Sequence, residues 1–204
     1  MIQTAEIPTI VVKRNTTSLG PSVVNWFALA AGYALYSFPL MGWFNMGSPV
    51  PITLLIFAGI ILYILGIYDW YKGKTAAMII NFVFGLVFLR IPLTSTYSSA
   101  TGIPPEEEFR SKIEGTFYIF IFVLLLVLAY AVSKGSYIYL ITIFLWIIGY
   151  MLLLMWEYSD NYRIRKAAGY FFFFSAIVDW VIGTCHLMNS TSLQPIIGLT
   201  IPEL

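Results

Sequence analysis

Apolar residues fall into six blocks of about helix length, separated by short polar pieces. The longest uninterrupted stretch is the most informative. From Asn15 to Tyr68, 54 residues pass without one Asp, Glu, Lys, Arg or His. A soluble chain of this size cannot keep such a stretch from water, so it belongs in lipid. A bilayer core of about 30 Å is crossed by about 20 helical residues, so the stretch must fold back once. The turn chemistry falls at Asn45-Met-Gly-Ser-Pro-Val-Pro51, where Gly and two Pro residues punctuate the helix. In lipid the backbone must satisfy itself, which helices do. The pattern therefore predicts an all-α polytopic membrane protein with six helices: Pro21 to Phe44, Ile52 to Tyr68, Lys74 to Leu89, Gly115 to Val132, Tyr137 to Trp156 and Ala167 to Met188. The third is the shortest. Residues 1–20 read as an N-terminal segment, 21–188 as one transmembrane domain and 189–204 as a C-terminal tail.

The joining pieces hold most of the charge, and the piece from Arg90 to Lys112, with Glu106 to Glu108, reads as an exposed excursion. Aromatic residues at block ends, including Trp26, Trp43, Trp70 and Trp156, fit an interfacial belt. Counting Lys and Arg on alternate sides gives five against six, so charge alone sets no orientation. The first block would act as the insertion signal, because no apolar region followed by a small-residue cleavage site precedes it. At 10% charged residues the chain lies well below the roughly 25% of soluble domains, in agreement with the spans. A formal charge of +1 argues against a nucleic-acid partner.

One His and one Cys provide no metal cluster, and neither a Gly-rich phosphate loop nor a nucleophile elbow is present. Catalysis, a metal and a cofactor are accordingly not expected, and the chemistry to look for is permeation. Asp179 is the sharpest feature, because an ionised carboxylate in mid-span costs about 2.5 to 3.5 kcal/mol on insertion scales. It must be neutral part of the time, paired, or beside a wet cavity. Helical spacing lines up Ser175, Asp179, Gly183 and His186 as a candidate proton path. The competing reading has Asp179 bonding a neighbouring helix, and His186 lying at the interface. Asn25 and Asn81 are set in apolar blocks as packing amides or solute partners. Ala28, Ala30, Ala31, Gly32, Gly59 and Gly66 form a small-residue set suited to close helix approach.

Local strings resemble the acetate uptake transporter family of small-carboxylate permeases. Asn15-Thr-Thr-Ser-Leu-Gly-Pro21 is similar to that family's Asn-Pro-Ala-Pro-Leu-Gly-Leu box, sharing Asn15, Leu19 and Gly20. Tyr68-Asp-Trp-Tyr-Lys-Gly-Lys-Thr75 resembles the acidic-aromatic-Lys-Gly-Asn-Thr loop into the third helix. Lys134-Gly135 and Ala168-Gly169 extend the likeness. The resemblance implies a proton-coupled transporter or channel for acetate and related monocarboxylates, in the cell membrane, with cytoplasmic termini. It also implies a ring-forming homohexamer with a pathway in each protomer. Val24, Phe84 and Trp146 fall where the family narrows that pathway. On this reading Asn15, Leu19 and Gly20 present donors to the carboxylate near a helix start, and Asp179, with His186 beyond it, exchanges the proton.

Two alternatives remain open at the level of sequence. One is a passive channel for a small neutral solute such as urea or a short amide, with Phe84 and Trp146 forming a slot and Asn25 or Asn81 bonding the solute. The other is a non-transporting subunit of a membrane complex.

Overall fold

A computed structural model describes residues 21–44, 49–101, 107–133 and 137–191. Six helices follow in chain order: α1 (Pro21–Met41), α2 (Pro49–Tyr71), α3 (Thr75–Thr101), α4 (Glu107–Val132), α5 (Tyr137–Ser159) and α6 (Tyr162–Thr191). Five have apolar stretches long enough to cross a membrane, and α3 contributes a shorter one, Thr75–Arg90. The protein is an integral, multi-pass membrane protein of all-helical fold.

Several boundaries differ from the sequence reading. The segment from Arg90 to Lys112 is mostly helix and not an excursion, because α3 continues to Thr101 and α4 begins at Glu107. α6 starts five residues before Ala167, α2 starts at Pro49, and α1 stops at Met41, short of Phe44. Hydropathy marks the part of a helix that lipid covers. Charged turns that continue the helix beyond it escape that signal.

The helices run up and down. Asp69 at the end of α2 meets Asn81 near the start of α3, and Tyr139 near the start of α5 meets His186 near the end of α6. At the opposite face Tyr162 and Arg165 in the first turn of α6 reach the last carbonyls of α1. Backbones pack closely between α1 and α6, α2 and α3, α5 and α6, α4 and α5, and α1 and α2. Gly59 and Gly85 lie against each other between α2 and α3, where an added Cβ on either would come within 3.0 to 3.1 Å of the other's carbonyl oxygen. By contrast α3 meets α4 and α5 largely through long side chains such as Arg90, Phe84 and Trp146. That seam holds the centre of the bundle.

Two helices end in the same device. At α1, Gly42 takes φ 81°, its N–H bonds Pro39 O at 3.2 Å, and the Trp43 N–H bonds Phe38 O at 3.0 Å. At α2, Gly73 takes φ 73°, with Gly73 N–H to Trp70 O and Lys74 N–H to Asp69 O. Both are Schellman ends, which satisfy orphan carbonyls and need a residue in the left-handed region. Stacking of Trp43 on Phe38, ring centroids 5.4 Å apart, supplies the accompanying apolar contact at α1. Gly42→Ala should therefore lower stability by about 1 to 2 kcal/mol, read as a lower midpoint of thermal unfolding in detergent micelles. An unchanged midpoint would mean that the end of α1 carries no conformational demand.

Candidate functional site

α5 threads the interior. Its buried residues include Tyr139, Thr142, Trp146 and Tyr150. Steps of three or four residues place these four on one face, spread over about 17 Å of helix. Each meets a different part of the bundle.

At one end Tyr139 Oη lies 2.7 Å from His186 Nε2, and its ring stacks on Trp26 at 5.2 Å. One turn inward, Thr142 Oγ1 donates to Asp179 Oδ1 at 3.1 Å, and Ser175 Oγ donates to Asp179 Oδ2 at 3.4 Å. Asp179, Thr142 and Ser175 are all fully buried. No cation pairs with Asp179 among the described residues. In this conformation Asp179 is closed off from solvent, with a hydroxyl against each carboxylate oxygen. The stripe expected on α6 is also interrupted. Gly183, between Asp179 and His186, packs against Trp26 and Phe27. Seven residues separate the two titratable groups, or about 10 Å along the helix, and His186 is engaged with Tyr139 instead.

In the middle, Tyr33 of α1 is the hub of an aromatic plug. Its ring stacks on Trp146 at 5.4 Å and on Phe172 at 5.3 Å, and meets Phe84 and Phe88 edge-on at 5.5 and 5.3 Å. Phe84 and Trp146 are themselves 4.6 Å apart. All five side chains are at most 1% exposed. Rings at these separations are in contact and leave no passage between them. Two glycines seat the plug: a Cβ at Gly32 would run into the Phe88 ring, and one at Gly149 would lie 2.6 Å from Phe172. Part of the small-residue set thus forms a socket for rings as well as a helix contact.

The expected constriction divides. Phe84 and Trp146 are neighbours at the centre, whereas Val24 is 48% exposed. Nine residues at about 100° each put Val24 on the face of α1 opposite Tyr33, so Val24 is not part of the plug and Tyr33 takes its place. The hydrophobic pattern concealed Tyr33 among Ala30, Ala31 and Gly32. The pairing of Phe84 with Phe88 one turn apart was the available signal for rings on that face of α3.

Beyond the plug lies a second polar cluster. Arg90 Nη2 donates to Tyr118 Oη at 3.2 Å and lies 3.5 Å from Glu114 Oε1. The guanidinium also stands over the rings of Phe117 and Tyr118 at 4.9 and 5.4 Å. The Tyr150 ring lies 6.1 Å from that of Tyr118, which brings α5 up to the same cluster. The hydroxyl oxygens of Tyr33 and Tyr150 are both buried without a hydrogen-bond partner. Sequence reasoning counted Arg90 as a loop charge and overlooked this cluster.

Asn81 is fully buried and donates to Asp69 Oδ2 at 2.7 Å, which ties its amide nitrogen to packing α3 on α2, while its Oδ1 is buried without a partner. Asn25 Oδ1 is buried without a partner. Asn15, Leu19 and Gly20 lie outside the described residues. No group of three His, Cys, Asp or Glu that could hold a metal occurs among the described residues.

No protein-family model matches the sequence, and no curated protein matches it significantly. Among solved structures, the bacterial acetate channel SatP superposes with a TM-score of 0.80, covering 88% of this chain and 97% of that one. The chain has the fold of that channel. Identity over the match is 15%, so the shared property is the helical architecture. The fold expected from the local strings is thereby met over nearly the whole length of a channel protein.

Proposed function

We propose that the protein is a membrane channel or transporter for acetate or a related small monocarboxylate, with one route through each protomer. The observation that carries this reading is the match of fold to the acetate channel over nearly that protein's full length. Two features of this chain support it. Polar side chains succeed one another along the inward face of α5, and a ring cluster separates the Asp179 side from the Arg90 side. A carboxylate is repelled by an apolar constriction through its desolvation cost, so a ring cluster is an effective gate, and movement of a proton with the solute removes that cost.

Asp179 is the proposed proton exchanger in this reading. Hydroxyl groups surround it, and a hydroxyl donates to the ionised carboxylate or accepts from the neutral one. His186, two turns further along α6, bonds Tyr139 and stands apart from that hydroxyl pair. A hexameric ring belongs to the same proposal: Leu54, Phe57 and Ile64 on α2 and Phe120, Val123 and Val127 on α4 are exposed apolar side chains suited to lipid or to neighbouring protomers. The slot for a neutral solute receives less support, because Phe84 and Trp146 touch.

Uptake of labelled acetate into proteoliposomes under an inward proton gradient tests the proposal. Saturable uptake above that of protein-free vesicles supports it. Uptake equal to those vesicles, with acetate, propionate and formate alike, overturns it.

A further inference from the structure

We propose that Arg90, with the hydroxyl of Tyr150, forms a binding site for the carboxylate group of the solute on the far side of the aromatic plug from Asp179. The inference rests on the transport reading above and assigns it a coordinating cation.

Arg90 closes the apolar part of α3 at the seam where that helix meets α4 by side chains. The only ion pair of Arg90 among the described residues is one contact of 3.5 Å, to Glu114. A guanidinium opposite a carboxylate ordinarily makes two parallel bonds of about 2.7 to 2.9 Å, so Glu114 takes up little of its donor capacity. Nη2 is given to Tyr118, while Nη1 is buried with no hydrogen-bond partner. A buried charged donor left unmatched is costly, and a bound anion would relieve that cost. The group is also held in position, with its plane against the rings of Phe117 and Tyr118. Tyr150, one turn beyond Trp146 on α5, has an unpartnered buried hydroxyl of its own.

A small carboxylate fits this donor set. One oxygen accepts from Nη1 of Arg90, and the other accepts from the Tyr150 hydroxyl. Arg90 lies two residues from Phe88 and Tyr150 packs edge-on against Phe172, so a bound headgroup would rest against the plug with its alkyl end toward the rings. Electrostatics then favour the anion here despite the apolar surroundings, and short chains fit best because the rings close the space beyond.

The test uses purified full-length protein in nanodiscs, with equilibrium binding of labelled acetate, and the same variants in proteoliposomes. Arg90→Gln should weaken acetate binding by about tenfold to a hundredfold and raise the KM for uptake, while Arg90→Lys keeps a measurable part of the affinity. Glu114→Gln is the discriminating variant. It removes the competing carboxylate and should tighten acetate binding, whereas a purely structural ion pair would make it behave like Arg90→Gln. Binding of neutral acetamide should respond to neither. Equal acetate affinity in wild type and Arg90→Gln, or weaker binding in Glu114→Gln, overturns the site. If uptake is saturable but its KM ignores Arg90, the site is wrong and the transport reading stands. If acetate binds through Arg90 and no flux is measured, the site stands and the transport reading fails.

Discussion

Trp146→Ala should raise acetate flux through reconstituted protein by about tenfold or more, equivalent to lowering a barrier by about 1.4 kcal/mol. The indole is 1% exposed and lies between Tyr33 and Phe84, at centroid distances of 5.4 and 4.6 Å. Its removal leaves a gap in the one layer that separates the Asp179 side from the Arg90 side. The same gap destabilises the bundle by about 3 to 5 kcal/mol, as large-to-small core changes do. Trp146→Phe, which keeps a ring and most of the contacts, should fall between the two in flux and near wild type in stability. Flux in folded Trp146→Ala no greater than wild type would mean that the rings are ordinary core and do not gate the route.

Asp179→Asn should abolish proton-driven accumulation while leaving downhill acetate flux in place. An amide still accepts from Thr142 through its oxygen and bonds the Ser175 hydroxyl through its nitrogen, so the local packing survives. It cannot exchange a proton. The variant should also be more stable than wild type, since a neutral amide avoids the desolvation cost that a buried carboxylate carries without a cation partner. A gain in stability bought with a loss of coupling is the usual mark of a residue kept for function. Accumulation equal to wild type in Asp179→Asn would remove the residue from the mechanism and leave it as a helix-packing group.

The six-helix bundle was legible because lipid imposes a simple rule: what crosses must be apolar and helical over about 20 residues. The ends were less legible. Arg90, Pro92, Glu107, Arg110 and Lys112 read as a loop by hydropathy, yet all lie in helix. The polar centre was half visible. Asp179 stood out as an acid in an apolar block, but its partners Thr142 and Ser175 did not, since a hydroxyl in lipid is unremarked until a neighbour is found for it. Trp146 and Phe84 were placed by family likeness and do meet. Val24, placed by the same likeness, lies on the wrong face of α1, and a local match without gaps cannot detect that. Tyr33 and Arg90 required coordinates, because each draws its meaning from helices distant in sequence.

The account depends on a route through the middle of each protomer, and thiol accessibility at Ser175 tests that most directly. Ser175→Cys in a Cys185→Ala background puts one reactive group beside Asp179, at a position that is fully buried while the plug is closed. A small anionic thiol reagent should label it slowly, faster when Trp146→Ala is added, and more slowly again when acetate is present. Acetate flux that persists while this cysteine stays unlabelled even with Trp146→Ala would contradict the account and place the route elsewhere.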